Sequence, residues 1–295
     1  MKQYYPQLSV KSLCALFGKT RYAYYDHHYR HENDLLKDEL ILQLVGEIRT
    51  DLPRIGTRKL HYLLTPKLAK HGINIGRDYL FDLLSINKLL VRSRRRKAIT
   101  TDSRHWMRKY ANLTVGMEVL RPEQLWVSDI TYIRLTQEFA YLSLITDAYS
   151  HKVMGFSLRK DLSSQGCLDA LKMALANRTY SYQGLIHHSD RGSQYCCKDY
   201  VELLSQHKIG ISMTENGSPY ENAVAERLNG ILKGEFNLNV NGSNWEQILG
   251  EIIKNIHSYN TLRPHDSCGR LTPEQAHSRT GRLKKLWKKE SIDHV

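Results

Sequence analysis

Three acidic residues in the middle of the chain have the type and spacing that metal-dependent chemistry needs. Asp129 lies in the segment LWVSDITYIRL, Asp190 ends the apolar run GLIHHSD, and Glu226 lies in ENAVAERLNGILKGEF. If the first segment is a strand, alternate residues share a face, and Asp129 is the one charged residue on an otherwise apolar face. An unpaired carboxylate is costly to desolvate there, so we expect a functional reason for it.

Carboxylates grouped in this way suit phosphodiester chemistry. Hard cations such as Mg²⁺ bind oxygen ligands, usually a few carboxylates together with water and substrate phosphate. Two divalent ions about 3.5–4 Å apart can stabilise both the attacking and the leaving oxygen of an in-line displacement. They also neutralise acids that cluster on an apolar surface. The three acids therefore predict a site for two Mg²⁺ ions, for which Mn²⁺ would substitute.

The elements that position these acids are predicted from the apolar pattern around them. The predicted order is strand 125–135, strand 139–146, strand 152–158, helix 163–177, strand 184–188, helix 196–206, strand 209–212 and helix 219–235. The acids then lie on the first strand, just after the fourth strand and on the last helix. The pattern by itself does not decide which strands are neighbours.

Four sequence blocks resemble the catalytic core of the DDE transposases and retroviral-type integrases, in particular the OrfB products of bacterial insertion sequences. The blocks are WxxDITYI at 126–133, HSDRGSQY at 188–195, GSPYENAVAERLN at 217–229, and YNxxRPH at 259–265 with LTPE at 271–274. Residues 191–225, 35 in all, separate the second and third acids. That spacing and the order of the blocks make the resemblance specific.

The resemblance implies an α/β RNase H-like fold in which the first and fourth strands lie side by side. That arrangement would bring Asp129 and Asp190 together, and the last helix would place Glu226 across them. The three acids are implied to be catalytic and metal-binding. Asn222 and Lys233 share the face of Glu226 at helical spacing, and Lys233 corresponds to a lysine that contacts DNA in integrase-like cores. We expect Asn222, Arg227 and Lys233 to bind DNA.

The whole chain is predicted to be multidomain, with all-α helix-turn-helix modules before the α/β core and an α-helical segment after it. At 295 residues it exceeds one typical domain. The predicted segments are a helix-turn-helix-like segment at 1–33, a second helical DNA-binding module at 34–91, a basic linker at 92–120, the RNase H-like core at 121–240, and a helical and basic tail at 241–295.

The two N-terminal segments are read as helical from their apolar stripes. Residues 8–28 predict two short helices broken at Gly18, with Thr20 capping the second. Residues 34–50 predict a longer helix. This outline resembles a helix-turn-helix, although an ordinary helical hairpin has the same local pattern.

Two further helices are predicted in the second segment. One begins at Thr57, and the next runs from Gly76 to near Leu90. We expect Arg58 and Lys59, at the start of the first of them, to bind DNA. A small helical bundle used for assembly is the alternative for this segment.

The charge of the chain favours a polyanionic partner. Its 43 basic and 30 acidic residues give a net charge of +13, although ribosomal and membrane-surface proteins share that property. The run that contains Arg94, Arg95, Arg96 and Lys97 is predicted to lie along DNA, and neutralising phosphates in this way makes binding fall steeply with salt.

The sequence favours an intracellular protein without a structural metal at its histidine pair. It has no 18-residue apolar run, and the first twenty residues do not form a signal-peptide core. We expect it in the bacterial cytoplasm, associated with the nucleoid, with its five cysteines reduced. His187 and His188 flank Asp190, and we interpret them as packing or DNA-contacting residues because no cysteine lies at zinc-site spacing.

Together these features predict a DNA transposase. It would cut double-stranded DNA at the terminal inverted repeats of an insertion sequence and join the 3′-hydroxyl to target DNA. It would act as a homo-oligomer, because two ends must be processed together. In the family resembled, a partner called OrfA supplies a helix-turn-helix and a leucine zipper, and this chain has no sustained heptad repeat, so an OrfA partner is a further expectation.

Several alternatives stay open at this point. The chain could be a DNA-binding assembly factor with a silent core, or an RNase H-superfamily nuclease that cuts without joining. Glu215 is the fallback third acid, and Asp147 is read as a turn or cap residue. The block at 259–265 has no assigned chemistry, and structural locking is the preferred account of it.

Overall fold

The computed structural model describes residues 4–91, 107–135, 138–180, 183–215, 223–238 and 244–286, with the backbone alone at 27, 28 and 30–33. The chain divides into two units. The first consists of Met1–Thr50 and Ile55–Val91, and the second of Asp51–Arg54 and Arg92–Val295. Each unit has its own core. None of the helices in the described ranges combines the length and the apolar character that crossing a bilayer requires.

The first unit is helical, as predicted. Its helices are α1 Val10–Leu16, α2 Arg21–Asp51, α3 Thr57–Ala69 and α4 Arg77–Ile86. The predicted break at Gly18 is confirmed, because Gly18 has a positive φ of 61° between α1 and α2. The hydroxyl of Thr20 accepts a hydrogen bond from the amide of Ala23 at 3.1 Å and so caps α2.

Two helix boundaries in this unit differ from the prediction. Helix α2 is continuous from Arg21 to Asp51. The second short helix expected within 8–28 and the helix expected at 34–50 are therefore one helix, and the predicted boundary at 33/34 falls inside it. Residues 29–33 contain no Pro or Gly to interrupt the helix. Helix α4 ends at Ile86, before the predicted end near Leu90. At this end the Asn87 side chain donates a hydrogen bond to the carbonyl of Leu83 at 2.8 Å.

The core of the first unit is built from leucine and other aliphatic side chains at helical spacing. Residues with at most 1% of their surface exposed are Ile41, Val45, Ile55, Leu60, Leu64, Leu68, Leu80 and Leu84. Leu35 and Leu36 belong to the apolar pattern that predicts the helix at 34–50, but their side chains are exposed. The role of these helices in DNA binding stays a prediction.

The second unit contains a five-stranded sheet among its described residues. Its elements up to the last core helix are β1 Leu125–Arg134, β2 Phe139–Asp147, β3 Val153–Arg159, α5 Ser164–Ala176, β4 Ile186–Ser189, α6 Ser193–Cys196, α7 Lys198–Gln206, β5 Gly210–Met213 and α8 Ala223–Glu235. The strand order is β3-β2-β1-β4-β5. β1 pairs antiparallel with β2 and parallel with β4. This is the predicted RNase H-like fold, with the first and fourth strands adjacent.

The predicted helix at 196–206 forms as α7, which begins two residues later at Lys198, and the short helix α6 before it was not predicted. Cys197 between them has an extended backbone, with φ −67° and ψ 150°. The remaining strands and helices of the core lie close to their predicted bounds, except that the predicted first residues of the last helix, 219–222, lie outside the described residues.

Helices cover both faces of the sheet. On one face α5 approaches β3 so closely that a Cβ on Gly155 would lie 2.1 Å from the carbonyl oxygen of Ala170. On the other face Leu125 and Val127 pack with Ala225 of α8. Because side chains alternate along β1, Asp129 belongs to the face that α8 covers. The predicted apolar face with one acid is thus confirmed.

The chain after α8 packs on the same unit. It forms α9 Trp245–Thr261, a 3₁₀ helix at Asp266–Cys268 and α10 Pro273–His277. Arg263 is fully buried, and its guanidinium donates two hydrogen bonds, of 2.8 and 2.7 Å, to the carboxylate of Glu235 at the end of α8. The preferred account of the 259–265 block as a structural lock agrees with this contact.

Candidate active site

The parallel pairing of β1 and β4 positions the first two acids. Val127 pairs with His188, so continuing the register by two residues places Asp129 beside Asp190, which directly follows β4. The amide of Gly192 donates to the Asp190 carboxylate at 3.0 Å. A Cβ on Gly192 would lie 3.0 Å from that same oxygen, so the turn after β4 favours glycine at this position.

The third acid reaches the same place from α8, which packs against β1 and β2. Glu226 lies in the first turn of α8 and is exposed. One turn later, the side-chain amide of Asn229 donates a 2.6 Å hydrogen bond to the Asp129 carboxylate. Glu226 and Asn229 share a helix face, so this contact turns Glu226 toward the two aspartates.

The electrostatics of Asp129 reflect this convergence. Burial, together with the negative charges of Asp190 and Glu226, raises the pKa of Asp129 from 3.8 to about 7. The hydrogen bonds from the amide of Ile130 and from Asn229 oppose this rise. Burial also raises the pKa of Glu226. Three ionised carboxylates are therefore unfavourable here unless a cation balances them.

The donor set fits a hard divalent cation. Three carboxylates face one region, and Mg²⁺ takes carboxylate oxygens as ligands. Their oxygens do not all lie within 4.8 Å of one another, so the exposed Glu226 side chain must move inward to share an ion with both aspartates. The carbonyl oxygen of the Asn229 side chain is buried and finds no hydrogen-bond donor among the described residues. This oxygen lies beside Asp129 and could accept a hydrogen bond from a water molecule that a bound cation holds.

A pocket of about 370 Å³ opens beside Asp129 and Asp190, and its other lining residues were not predicted from the sequence. It is lined by Asp129, Ile130, Tyr132, Tyr141, Leu162, Asp190, Gly192, Ser193, Gln194 and Tyr195. Tyr195 ends the block HSDRGSQY and Tyr132 lies in WxxDITYI, so membership in these blocks was the available signal. Tyr141 and Leu162 had no such signal, since they come from a neighbouring strand and from the loop before α5.

Lys233 extends the site along α8. Its ammonium group lies 4.6 Å from the centre of the Tyr132 ring. Burial lowers the pKa of Lys233, and the charge of Asp129 acts in the opposite direction. Lys233 thus lies with Asn229 on the predicted face of Glu226, and this face meets Asp129. Asn222, predicted on the same face, lies outside the described residues.

The other residues predicted to bind DNA are not gathered at this site. Arg227 is exposed on α8, and Arg58 is exposed and Lys59 partly buried at the start of α3. Arg94, Arg95, Arg96, Lys97 and Asn222 lie outside the described residues. DNA contact by any of them stays a prediction.

The residues weighed as alternatives have other contacts. Glu215 accepts a hydrogen bond from the amide of Asn112 at 3.2 Å. Asp147 is buried and accepts from the amide of Glu123 at 2.7 Å and from the amide and hydroxyl of Ser150 at 2.8 Å each. These contacts agree with the turn role expected for Asp147.

The histidines before Asp190 are packing residues. His187 is buried, with its Nε2 2.6 Å from the Ser128 hydroxyl and 2.8 Å from the Tyr200 hydroxyl. Burial lowers its pKa to about 3, so its ring is neutral. His188 pairs with the hydroxyl of Ser212 at 2.8 Å. All five cysteines are free thiols, as expected.

This sheet, with α8 across it and acids from three elements, defines a core of the integrase type. The integrase core domain family matches the chain at residues 120–219, and a second model of the same description matches residues 207–273.

Comparison with known proteins places the chain more closely. The 31 kDa protein of insertion element IS600 from Shigella sonnei is 33% identical over 88% of this chain and 96% of that protein. The IS629 transposase of Shigella sonnei is 30% identical over 71% of this chain and 70% of the transposase. Transposase InsF of IS3fB from Escherichia coli K12 is 27% identical over 93% of this chain and 96% of that transposase. The chain belongs to this family of insertion-sequence transposases with an integrase core domain.

A solved structure is also similar to part of the chain. The HTLV-2 integrase catalytic core domain in complex with magnesium has a TM-score of 0.43 and 22% identity, over 54% of this chain and 99% of that one.

Proposed function

We propose that this protein is a DNA transposase that cuts at the ends of an insertion sequence and joins the 3′-hydroxyl to target DNA. Asp129, Asp190 and Glu226 would be its catalytic, metal-binding residues. One observation carries the proposal: the register of β1 with β4 sets Asp190 beside Asp129, and the 2.6 Å bond from Asn229 to Asp129 brings the Glu226 face of α8 to the same place. The family of the chain and the open pocket beside the acids support the same assignment.

The three carboxylates would hold Mg²⁺, two ions being the expected number, with Mn²⁺ as a substitute. When bound, the metal would activate the attacking oxygen and stabilise charge on the leaving oxygen. The protein's own part is positioning. Asn229 holds the Asp129 carboxylate through its 2.6 Å bond, and the Gly192 amide holds that of Asp190. Water would attack first and the freed 3′-hydroxyl second.

Binding of the DNA strand would use the positive groups around the pocket. Lys233 lies on the same helix face as Glu226, where its ammonium can meet a phosphate beside the acids. Arg227 is exposed on the next position of α8 from Glu226. Arg58 and Lys59 of α3, and the run from Arg94 to Lys97, would contact more distant phosphates of the inverted repeat. Asn222 is proposed as a further contact.

The assembly would be a homo-oligomer on paired DNA ends. Both ends of an element must be cut and joined together, and each copy offers one set of three acids. An OrfA partner is proposed to supply additional recognition of the inverted repeats.

A strand-transfer assay tests this function. Purified protein, alone and with OrfA, is incubated with labelled terminal-repeat DNA, target plasmid and Mg²⁺. Joined product is expected, and it should disappear in Asp129→Asn, Asp190→Asn and Glu226→Gln. Glu215→Gln is the matched control. Glu215 is also an acid before α8, but its carboxylate accepts a hydrogen bond from the backbone amide of Asn112.

Two outcomes would contradict the proposal. Cutting without joining would identify a nuclease, and a mobility shift without cutting in all conditions would identify a DNA-binding assembly factor. Loss of joining in Glu215→Gln with retention in Glu226→Gln would overturn the assignment of the third acid.

A further inference from the structure

A second cluster of side chains with metal-ligand chemistry lies apart from the three acids. It consists of His151, His265 and Cys268, whose donor atoms all lie within 4.8 Å of one another. His265 and Cys268 are buried, with 5% and 1% of their surface exposed, and His151 is partly buried. Among the described residues, it is the one group of three whose donor atoms all lie within that distance, and the oxygens of Asp129, Asp190 and Glu226 are spaced more widely.

The three residues come from separate parts of the second unit. His151 lies in the turn between β2 and β3, His265 follows α9, and Cys268 ends the 3₁₀ helix. The function proposed for the three acids uses none of them. His265 closes the block YNxxRPH, for which sequence analysis found no chemical role.

The backbone around each donor is held by hydrogen bonds. The amide of His151 donates to the carbonyl of Asp147 at 2.8 Å. The amide of His265 donates to the carbonyl of Leu271 at 2.9 Å, and the amide of Cys268 donates to the carbonyl of His265 at 3.0 Å. Because these turns are fixed, the donors are gathered before any ion binds.

The side-chain contacts are also those of a ligand set. Nε2 of His265 lies 3.1 Å from the Tyr259 hydroxyl, and such a bond on one ring nitrogen orients the other toward a metal. That other nitrogen, Nδ1, has a longer contact of 3.4 Å with the Ser267 hydroxyl. The rings of His151 and His265 stack at 4.7 Å, so their in-plane lone pairs are parallel and the partly buried His151 ring must rotate out of the stack for both to bind one ion. The Cys268 thiol lies 3.7 Å from the carbonyl of Ser150.

The chemistry of this set selects the cation. Imidazole nitrogen and thiolate sulfur suit zinc, whereas Mg²⁺ and Ca²⁺ take oxygen. Zinc bonds of about 2.0–2.3 Å in tetrahedral geometry require donor separations of about 3.5 Å. The present limit of 4.8 Å therefore asks for a contraction of about 1 Å, within reach of side-chain rotation.

We propose that His151, His265 and Cys268 form a zinc site, with water as the fourth ligand. On binding, the Cys268 thiol loses its proton to solvent and the thiolate takes its place in the coordination shell. The ion ties the β2–β3 turn to the segment that follows α9. The proposal is independent of the transposase function, since none of the three acids takes part.

Cobalt substitution tests this site. The full chain with Asp129→Asn and Asp190→Asn, which disables the carboxylate site, is stripped with chelator and titrated with Co²⁺ and then Zn²⁺. We expect one equivalent of Co²⁺ to give the visible bands of tetrahedral cobalt and a near-ultraviolet thiolate charge-transfer band. Zn²⁺ should displace it.

Variants locate the ligands. Cys268→Ser should remove the thiolate band and weaken Zn²⁺ binding by more than about tenfold, while Cys197→Ser, a partly buried cysteine outside the cluster, should leave both unchanged. His151→Asn is the second variant, because Asn tolerates the positive φ of 61° at this position and should preserve the fold. Absence of the thiolate band in the parent, or its persistence in Cys268→Ser, would overturn the proposal.

Discussion

At the scale of single residues, Asp129 shows a conflict between stability and chemistry. Its carboxylate is partly buried against two other acids, and the protein around it offers two hydrogen bonds in return, from Ile130 and Asn229. Groups whose pKa is shifted by burial and by like charges are typical of active sites. The same environment that binds a cation well is unfavourable without one.

This conflict predicts a pH-dependent stability of the metal-free protein. The pKa of Asp129 rises from 3.8 to about 7 on folding. The native state therefore holds a proton that the unfolded state has lost, so stability is full below 3.8 and decreases as the pH rises through 7. Asp129→Asn should remove this decrease and make the metal-free protein more stable at pH 8, by up to about 4 kcal/mol.

Thermal unfolding in chelator between pH 4 and pH 8 measures this effect. Mg²⁺ should raise the Tm of the parent at pH 8 and leave that of Asp129→Asn nearly unchanged. Equal pH slopes in the two proteins would contradict the account. Asp199→Asn, in the first turn of α7, is the control for loss of one aspartate.

At the scale of elements, the position of α8 decides whether Glu226 meets the aspartates. One end of α8 packs on β1 through Ala225. The other end is held by Arg263, whose guanidinium bonds to Glu235 from beyond α9. The amide of Arg54 also donates to the carbonyl of Glu235 at 3.0 Å. Arg263 of the block YNxxRPH thus holds α8, the helix that carries Glu226, although it lies 28 residues after Glu235 in the chain.

Removing this anchor should be costly. Arg263→Met removes two hydrogen bonds from the Glu235 carboxylate, which is itself 26% exposed, and losing charge-assisted bonds of this kind should cost about 2–3 kcal/mol. Urea unfolding of Arg263→Met measures the loss. Arg282→Met, which breaks the exposed pair with Glu118, should show no measurable change. If Arg263→Met unfolds at the parent's urea concentration, the anchor is not stabilising.

The contact of α5 with β3 depends on a single missing side chain. A Cβ at Gly155 would lie 2.1 Å from the Ala170 oxygen and 2.6 Å from the Ala174 nitrogen. Gly155→Ala should therefore push α5 outward and destabilise the core by about 1–3 kcal/mol. In Gly250→Ala on α9, nothing lies within 4 Å of the new Cβ, and the gain in helix propensity should make it neutral or stabilising. Chemical denaturation compares the two; equal stability would refute the close packing.

At the scale of the whole molecule, the net charge of +13 and the two units suit a protein that binds extended DNA. The three acids lie in the second unit, whereas Arg58 and Lys59 lie in the helical first unit. Phosphate contacts made by the helical first unit would fix the position of the DNA and would take no part in the reaction at the cut.

The salt dependence of DNA binding tests this division. Each phosphate that is no longer neutralised should make the slope of log K against log salt shallower by about 0.9. Arg58→Ala with Lys59→Ala should thus weaken binding of terminal-repeat DNA and make the slope shallower by up to about 1.8. Lys70→Ala, an exposed lysine at the opposite end of α3, is the control. Unchanged slopes would remove α3 from the interface.

The sequence by itself determined the elements of the core, their order and the three acids. Alternating and helical periodicity is local, so β1 and α8 were predictable with Asp129 and Glu226 on them, and the four blocks supplied the strand order that periodicity lacks. Only the tertiary structure decided which side chains meet. The bond from Asn229 to Asp129 joins residues 100 apart, and His151 meets His265 and Cys268 from a distant part of the chain. Such contacts depend on how packed elements pass one another, and no local pattern in the chain records that.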